Sequence, residues 1–215
     1  MSRRGELATR SPTRTPTGVA IVEDRATIRE SVALLIESAT GFHCVGSYAS
    51  MEEALERIGP LGTDVVLVDL VFPGMSGVEG IRLLRERCPE AAAVIFTVYD
   101  DDERVFDGLC AGAFGCLPKK TAPHVLLETI DVVAAGGAAP MPPEAARRVL
   151  DLLEWPCPEA LEGRPEEIRV MKLLAVGHNH ETAAHELGST PERVGRVARS
   201  VYERLHEAFR TKSVR

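Results

Sequence analysis

Short apolar runs alternate with longer amphipathic stretches from Val19 to about residue 136. The runs lie near positions 19, 43, 65, 92 and 114, and their length and branched composition predict strands. The stretches over roughly 26–39, 50–59, 77–88, 101–112 and 122–135 carry apolar residues at helical spacing. The segment Asp64–Leu70, DVVLVDL, is almost continuously apolar, as a strand buried on both faces of a parallel sheet must be. Strands and helices in strict alternation predict an α/β domain, a doubly wound five-stranded parallel sheet joined by right-handed crossovers.

The periodicity then changes. Gly136-Gly137 and AAPMPP stop the fifth helix, and EAARRVLDLLEW repeats apolar residues at Ala146, Val149, Leu150 and Leu153, which predicts a linker helix ended by Pro156 and Pro158. From Leu161 the pattern is helical only. EEIRVMKLLAV places Ile168, Met171, Leu174 and Ala175 on one face and stops at Gly177, and NHETAAHEL follows. Thr190 before Pro191 is an N-cap and first-turn pair, opening a helix with Val194, Val197, Val201 and Leu205 inward. Its other face carries Arg193, Arg196, Arg199, Ser200 and Arg204. A helix, a tight turn and an arginine-faced helix is helix-turn-helix geometry, in which the second helix enters the major groove. The expected organisation is a disordered basic tail over 1–17, an α/β domain over 18–136, a linker with a helix over 137–160 and an all-α domain over 161–215.

Charge sharpens this division. The block from Leu161 carries about ten basic and eight acidic residues, whereas residues 18–160 carry about eleven and twenty-three, so only the end of the chain suits phosphates. No apolar stretch reaches the roughly 18 residues of a membrane span, and the start of the chain lacks the apolar core of a secretion signal, which together predict a cytoplasmic protein. The five cysteines, at 44, 88, 110, 116 and 157, have neither paired nor metal-finger spacing and read as small core residues. Histidines 178, 180 and 185 do not share one helix face, which argues against a metal site there.

The candidate chemistry lies at the strand ends, where open α/β sheets bind ligands. DVVLVDL closes on Asp69, VAIVED on Glu23 and Asp24, AAVIFT on Thr97 and FGCLPK on Lys119. Taken singly, an acid at a strand end caps a loop and a lysine there is solvated. Taken together they place three acids, a hydroxyl and an ammonium at one sheet edge. The acids suit Mg²⁺, which takes carboxylates, water and phosphate oxygens; Lys119 and Thr97 suit phosphoryl oxygens. The set describes an aspartate that accepts a phosphoryl group.

On these residues, and on TVYDDDERVFDGLCAGAFGCLPK, the region from 18 to about 136 resembles the receiver domain of two-component response regulators, with its flavodoxin-like fold. The resemblance implies Asp69 as phosphoacceptor, Glu23, Asp24, Asp69 and the Val71 carbonyl around Mg²⁺, Thr97 as switch hydroxyl and Lys119 as phosphate partner. Through GRPEEIRVMKLLAVG, the Ala183-Ala184 pair with Leu187, and TPERVGRVARSVYERL, the final block resembles the LuxR-type DNA-binding domain of NarL/FixJ-like regulators. Four positions depart from these families. Cys116 replaces an aromatic residue that reports phosphorylation, Val98 replaces a small residue, Gly195 a basic residue and Val197 a histidine.

The leading expectation is a regulator, not an enzyme: a histidine kinase phosphorylates Asp69, and a homodimer binds double-stranded DNA through Arg193, Arg196, Arg199, Ser200 and Arg204. Two other readings fit the departures. In one the receiver is a dimerisation module independent of phosphorylation; in the other the terminal domain grips a protein.

Overall fold

The computed structural model describes residues 15–59, 62–98, 102–154 and 164–210. Most of the basic tail, Pro156, Cys157, Pro158 and the start of the final block at Leu161 lie outside the described residues.

Five parallel strands form one sheet in the order β2-β1-β3-β4-β5. They are β1 (Thr17–Val22), β2 (Phe42–Tyr48), β3 (Val65–Val68), β4 (Ala92–Thr97) and β5 (Cys116–Pro118). Strands β1, β3 and β4 are buried along their whole length, which is why their sequences run apolar without alternation. The alternating helices are α1 (Ala26–Ser38), α2 (Met51–Arg57), α3 (Gly77–Arg87), α4 (Asp102–Ala111) and α5 (Pro123–Ala134), each within a few residues of its expected span. Ser50 and Ser76 cap α2 and α3 by accepting from Glu53 N and Glu79 N, both at 3.2 Å. Because β1 and β3 are neighbours and the chain leaves β1 toward β2 but leaves β3 toward β4, the carboxyl ends of β1 and β3 flank the switch point of the sheet. Val22 pairs with Val68 there, and one residue further on Asp69 N donates to Val22 O at 3.1 Å.

Beyond α5 the chain returns along the edge of β5. Ala139 N donates to Phe114 O at 2.8 Å and Cys116 N to Pro140 O at 2.9 Å, so the open edge of the sheet is covered. Gly115, at φ +133°, makes room for this: a Cβ there would lie 2.5 Å from the Ala139 Cβ.

Helix α6 (Pro143–Glu154) then packs against α4 and against α7 (Pro165–Ala175). Helices α8 (His180–Leu187) and α9 (Pro191–Arg210) complete a three-helix unit whose core includes Val170, Met171, Leu174, Ala183, Ala184, Val194, Val201 and Leu205. Asn179 caps α8, Gly188 ends it in the left-handed region at φ 59°, and Thr190 Oγ1 accepts from Arg193 N at 3.3 Å to open α9. Among the described residues, no helix is long and apolar enough to cross a membrane.

The helical unit is seated on the α/β domain through α4 and α9. The seam is aromatic. Phe114 meets Tyr202 and His206 edge-on at ring separations of 6.4 and 5.0 Å, and buried His206 donates from Nε2 to Ala113 O at 3.1 Å. Gly195, where the family that the final block resembles carries a basic side chain, is buried beside the Ala138 backbone and the His180 ring.

Candidate functional site

Each acid of the site is delivered by a strand end. Glu23 follows β1 and is fully buried, Asp69 follows β3 and is 6% exposed, and Asp24 reaches solvent. Arg29, one turn into α1, holds the Glu23-Asp24 loop by donating to the Glu23 carbonyl at 2.7 Å and the Asp24 carbonyl at 3.1 Å. On the other side, Gly77 lets α3 start against the β3 exit: a Cβ there would lie 2.1 Å from Asp69 O.

Both oxygens of Asp69 are engaged. Oδ1 accepts from Leu70 N at 2.7 Å and from Thr97 Oγ1 at 3.0 Å, and Oδ2 accepts from Lys119 Nζ at 2.5 Å. Lys119 Nζ also contacts Glu23 Oε2, so one nearly buried ammonium bridges two buried carboxylates. The backbone sets this reach, since Lys119 N donates to Thr97 O at 2.9 Å and continues the β4–β5 pairing past Pro118, which has no amide of its own to give. Glu23 Oε1 accepts from Arg25 N at 3.2 Å and from Arg25 Nε at 3.4 Å.

One oxygen from each of Glu23, Asp24 and Asp69 can lie within 4.8 Å of the others. Octahedral Mg²⁺ with ligands at about 2.0–2.1 Å needs oxygens about 2.9–4.2 Å apart, so this donor set fits that ion after a small contraction. The hard all-oxygen chemistry suits it, and exposed Asp24 gives it an entrance. A cavity of about 470 Å³ opens over Asp69, lined also by Asp24, Arg25, Val71, Thr97, Val98 and Arg104. Val71 and Val98, both more than half exposed, form its apolar lips. Arg25 and Arg104 are lining residues that sequence reasoning missed. Arg25 could have been suspected beside the acidic pair, but nothing in the spacing of Arg104 points to a site built from other strands.

The arginine face of α9 is narrower than its sequence suggests. Arg193 and Arg196 are exposed, with Arg193 Nη2 2.9 Å from Glu166 Oε1. Arg199 instead lies over the Phe114 ring, 3.8 Å from its centroid, and donates to Gly137 O at 3.1 Å. Ser200 and Arg204 turn toward Glu167, a buried carboxylate that accepts from Ser200 Oγ at 3.0 Å, contacts Arg204 and accepts from Arg164 N at 2.9 Å. The expectation of one exposed face is corrected here: the docked domain and the buried acid hold three of its five residues. Glu167 lacked any sequence signal beyond its place in the first turn of α7.

The response regulator receiver domain family matches residues 19–131. The transcriptional regulatory protein YdfI of Bacillus subtilis (strain 168) is 29% identical over 199 residues, covering 91% of this chain and 92% of that protein. The nitrate/nitrite response regulator protein NarL of Escherichia coli (strain K12) is 29% identical over 182 residues, covering 83% of this chain and 84% of that protein. A LuxR-family two-component response regulator from Aurantimonas sp. SI85-9A1 superposes with a TM-score of 0.55 at 30% identity, over 60% of this chain and 93% of its own. The response regulator ChrA of a heme-sensing two-component system, at 20% identity and a TM-score of 0.53, shares the fold over 93% of this chain and 99% of its own. Matched by the receiver family over more than half its length, and by transcriptional regulators over nearly all of it, the chain belongs to the two-component response regulators of the NarL type.

Proposed function

We propose that a histidine kinase phosphorylates Asp69 and that the added charge frees the helical domain to bind duplex DNA. The observation that carries this reading is the gathering of Thr97, Lys119 and the Leu70 amide on the two oxygens of Asp69, beside two further acids at a sheet switch point. An Asp69 oxygen attacks phosphorus as the nitrogen–phosphorus bond of a phosphohistidine breaks; the bonding pair stays on the imidazole, which takes a proton from water. Thr97 donates to a phosphoryl oxygen and Lys119 pairs with another. Glu23, Asp24, Asp69 and the Val71 carbonyl would hold Mg²⁺, which when bound neutralises charge on the transferring group.

In this reading residues 18–136 form the receiver, 137–160 the linker and 161–215 the DNA-binding domain. The seam holding Arg199 against Phe114 supports a resting state in which α9 is withheld from DNA. Once released, α9 presents Arg193, Arg196 and Arg199 to the major groove, with a second copy on a half-site about one turn away; the protein acts in the cytoplasm, where kinase and DNA meet. Ser200 and Arg204 are better assigned to holding α9 on α7 through Glu167.

Incubation with a small acyl phosphate and Mg²⁺, read by intact mass, tests the assignment. One phosphoryl group should add to the natural chain and none to Asp69→Asn. Undiminished labelling of that variant would move the phosphoacceptor elsewhere.

A further inference from the structure

The Val71 carbonyl completes the proposed Mg²⁺ set, yet no strand holds it: it lies in the loop from Leu70 to Ser76, between the end of β3 and the start of α3. The base of that loop is closed. Leu70 N donates to Asp69 Oδ1 at 2.7 Å, and Gly77 N to Leu70 O at 3.2 Å. The span above it is tied at a single point. Among the described residues, the one hydrogen bond to the backbone of residues 71–75 is donated by Met75 N to Glu52 Oε1, at 2.9 Å.

Glu52 belongs to the first turn of α2, and its backbone is a fixed post. Ser50 caps that helix, Met51 beside Glu52 is fully buried, and α3 comes so close that a Cβ at Gly80 would lie 2.5 Å from Met51 Cγ. The same carboxylate meets the loop again at Gly74, which turns at φ +93°: a Cβ there would lie 2.8 Å from Glu52 Oε1. The Met75 amide is the main cause that holds the exposed Glu52 carboxyl below the usual carboxylate range. Phe72 and Met75 rest half-buried on the core, but apolar packing has no direction, whereas a charge-assisted hydrogen bond fixes where the loop stands. Direction matters to this ion. Octahedral Mg²⁺ tolerates little displacement of a ligand, and while Glu23, Asp24 and Asp69 are set by strand ends, the Val71 carbonyl is set by the loop.

We propose that Glu52 is a positioning residue of the phosphorylation site: by holding Met75 from α2, it sets the Val71 carbonyl for Mg²⁺. The inference rests on the Mg²⁺ set proposed around Asp69.

The test titrates Mg²⁺ into the isotope-labelled full chain and follows the amide NMR signals of residues 69–77, with hydrogen exchange at the Met75 amide and thermal melts alongside. Glu52→Ala should weaken Mg²⁺ binding by roughly 10-fold, the lower end for loss of a group that orients a metal ligand, and should speed exchange at Met75. Two further variants separate the bond from the charge. Glu52→Gln loses the charge but can still accept from Met75 N, so its affinity should stay within about threefold of the natural chain. Glu52→Asp keeps the charge but is one methylene too short, and should resemble Glu52→Ala. Because Glu52 is exposed, all three should melt with the natural chain. In labelling by a small acyl phosphate, the half-saturating Mg²⁺ concentration of Glu52→Ala should rise by the same roughly 10-fold. Its rate at saturating Mg²⁺ should stay within about twofold, because the bound ion then holds the carbonyl itself. Mg²⁺ affinity within about twofold of natural in Glu52→Ala overturns the proposal. So does equal weakening in Glu52→Gln, or a Glu52→Asp chain that binds as the natural one does. A natural chain whose signals do not respond to Mg²⁺ defeats instead the ion set beneath it.

Discussion

The Arg199 guanidinium lies 3.8 Å above the centroid of the Phe114 ring and donates to the Gly137 carbonyl at 3.1 Å, tying an arginine of α9 to the α/β domain and to the first residue of the linker. A cation over an aromatic face contributes about 0.5–2 kcal/mol depending on desolvation. Arg199 is only 22% exposed at the side chain, which puts it toward the stronger end. In the docked state this arginine holds α9 against the α/β domain; under the proposed function, release would make the same side chain available to DNA.

Removing the ring should therefore loosen the seam without touching a DNA contact. Phe114→Leu is expected to speed exchange of the 197–206 segment and to raise unphosphorylated DNA affinity by roughly fivefold, the equivalent of about 1 kcal/mol lost from the closed form. Fluorescence anisotropy on a specific duplex, with Asp69→Asn as background, would read it. Unchanged affinity with a loosened seam would separate docking from inhibition.

Lys119 is expected to matter for stability as well as for chemistry. It is the ammonium between Glu23 and Asp69, all three side chains being less than one-tenth exposed. Lys119→Ala leaves two buried carboxylates facing each other, and breaking a buried pair in this way costs about 3–5 kcal/mol. Mg²⁺ should restore part of that loss, because a divalent cation between Glu23, Asp24 and Asp69 replaces the missing charge. Thermal melts with and without Mg²⁺ should show a larger cation-induced rise in the variant than in the natural chain. An equal rise would take these acids out of the ion site.

How much of this was legible in the sequence depended on whether the signal was local. Asp69, Thr97 and Lys119 could be read because each ends an apolar run, and parallel topology brings strand ends to one edge. The Thr190-Pro191 start of α9 was legible through cap chemistry. Arg104 was not, because its place over Asp69 depends on how α4 sits on Ile95 and Leu70. Nor were the roles of Arg199, Ser200 and Arg204. Helical periodicity separates an apolar from a polar face, but it cannot show that the polar face meets Phe114 of another domain or buried Glu167 of a neighbouring helix.

Burial also predicts an acid sensitivity in the helical unit. His180, at the start of α8, has its Nε2 buried without a hydrogen-bond partner and its ring beside Gly195, and burial holds its pKa below the ordinary histidine value. The unfolded chain then binds the proton more readily than the folded one. The stability associated with neutral His180 is complete above about pH 6.5, the unfolded value, and is lost as pH falls toward the depressed folded pKa. Urea unfolding of the full chain between pH 7.5 and 5.5 should show this fall, and His180→Gln should flatten it. An equal slope in that variant would assign the effect to another group.

The narrowed arginine face separates two kinds of DNA-binding defect. Arg196 is exposed on α9, so Arg196→Ala should leave the melting temperature unchanged while weakening DNA. If Arg196 reads a guanine edge, the loss is about 1–3 kcal/mol on the specific duplex alone; if it meets phosphate, all duplexes weaken alike and the salt slope falls by about one. Arg204→Ala should behave differently, because it strands Glu167, 2% exposed, with only Ser200 and a backbone amide among the described residues to hold its charge. A stranded buried carboxylate costs about 3–5 kcal/mol, so that variant should lose DNA binding through a lower unfolding midpoint, and Glu167→Gln in the same chain should recover part of the midpoint by removing the unpaired charge. Binding isotherms paired with denaturant melts at several salt concentrations would distinguish the two. A stable Arg204→Ala chain with a reduced salt slope would return Arg204 to the DNA-facing set and leave Glu167 a lesser role in seating α9.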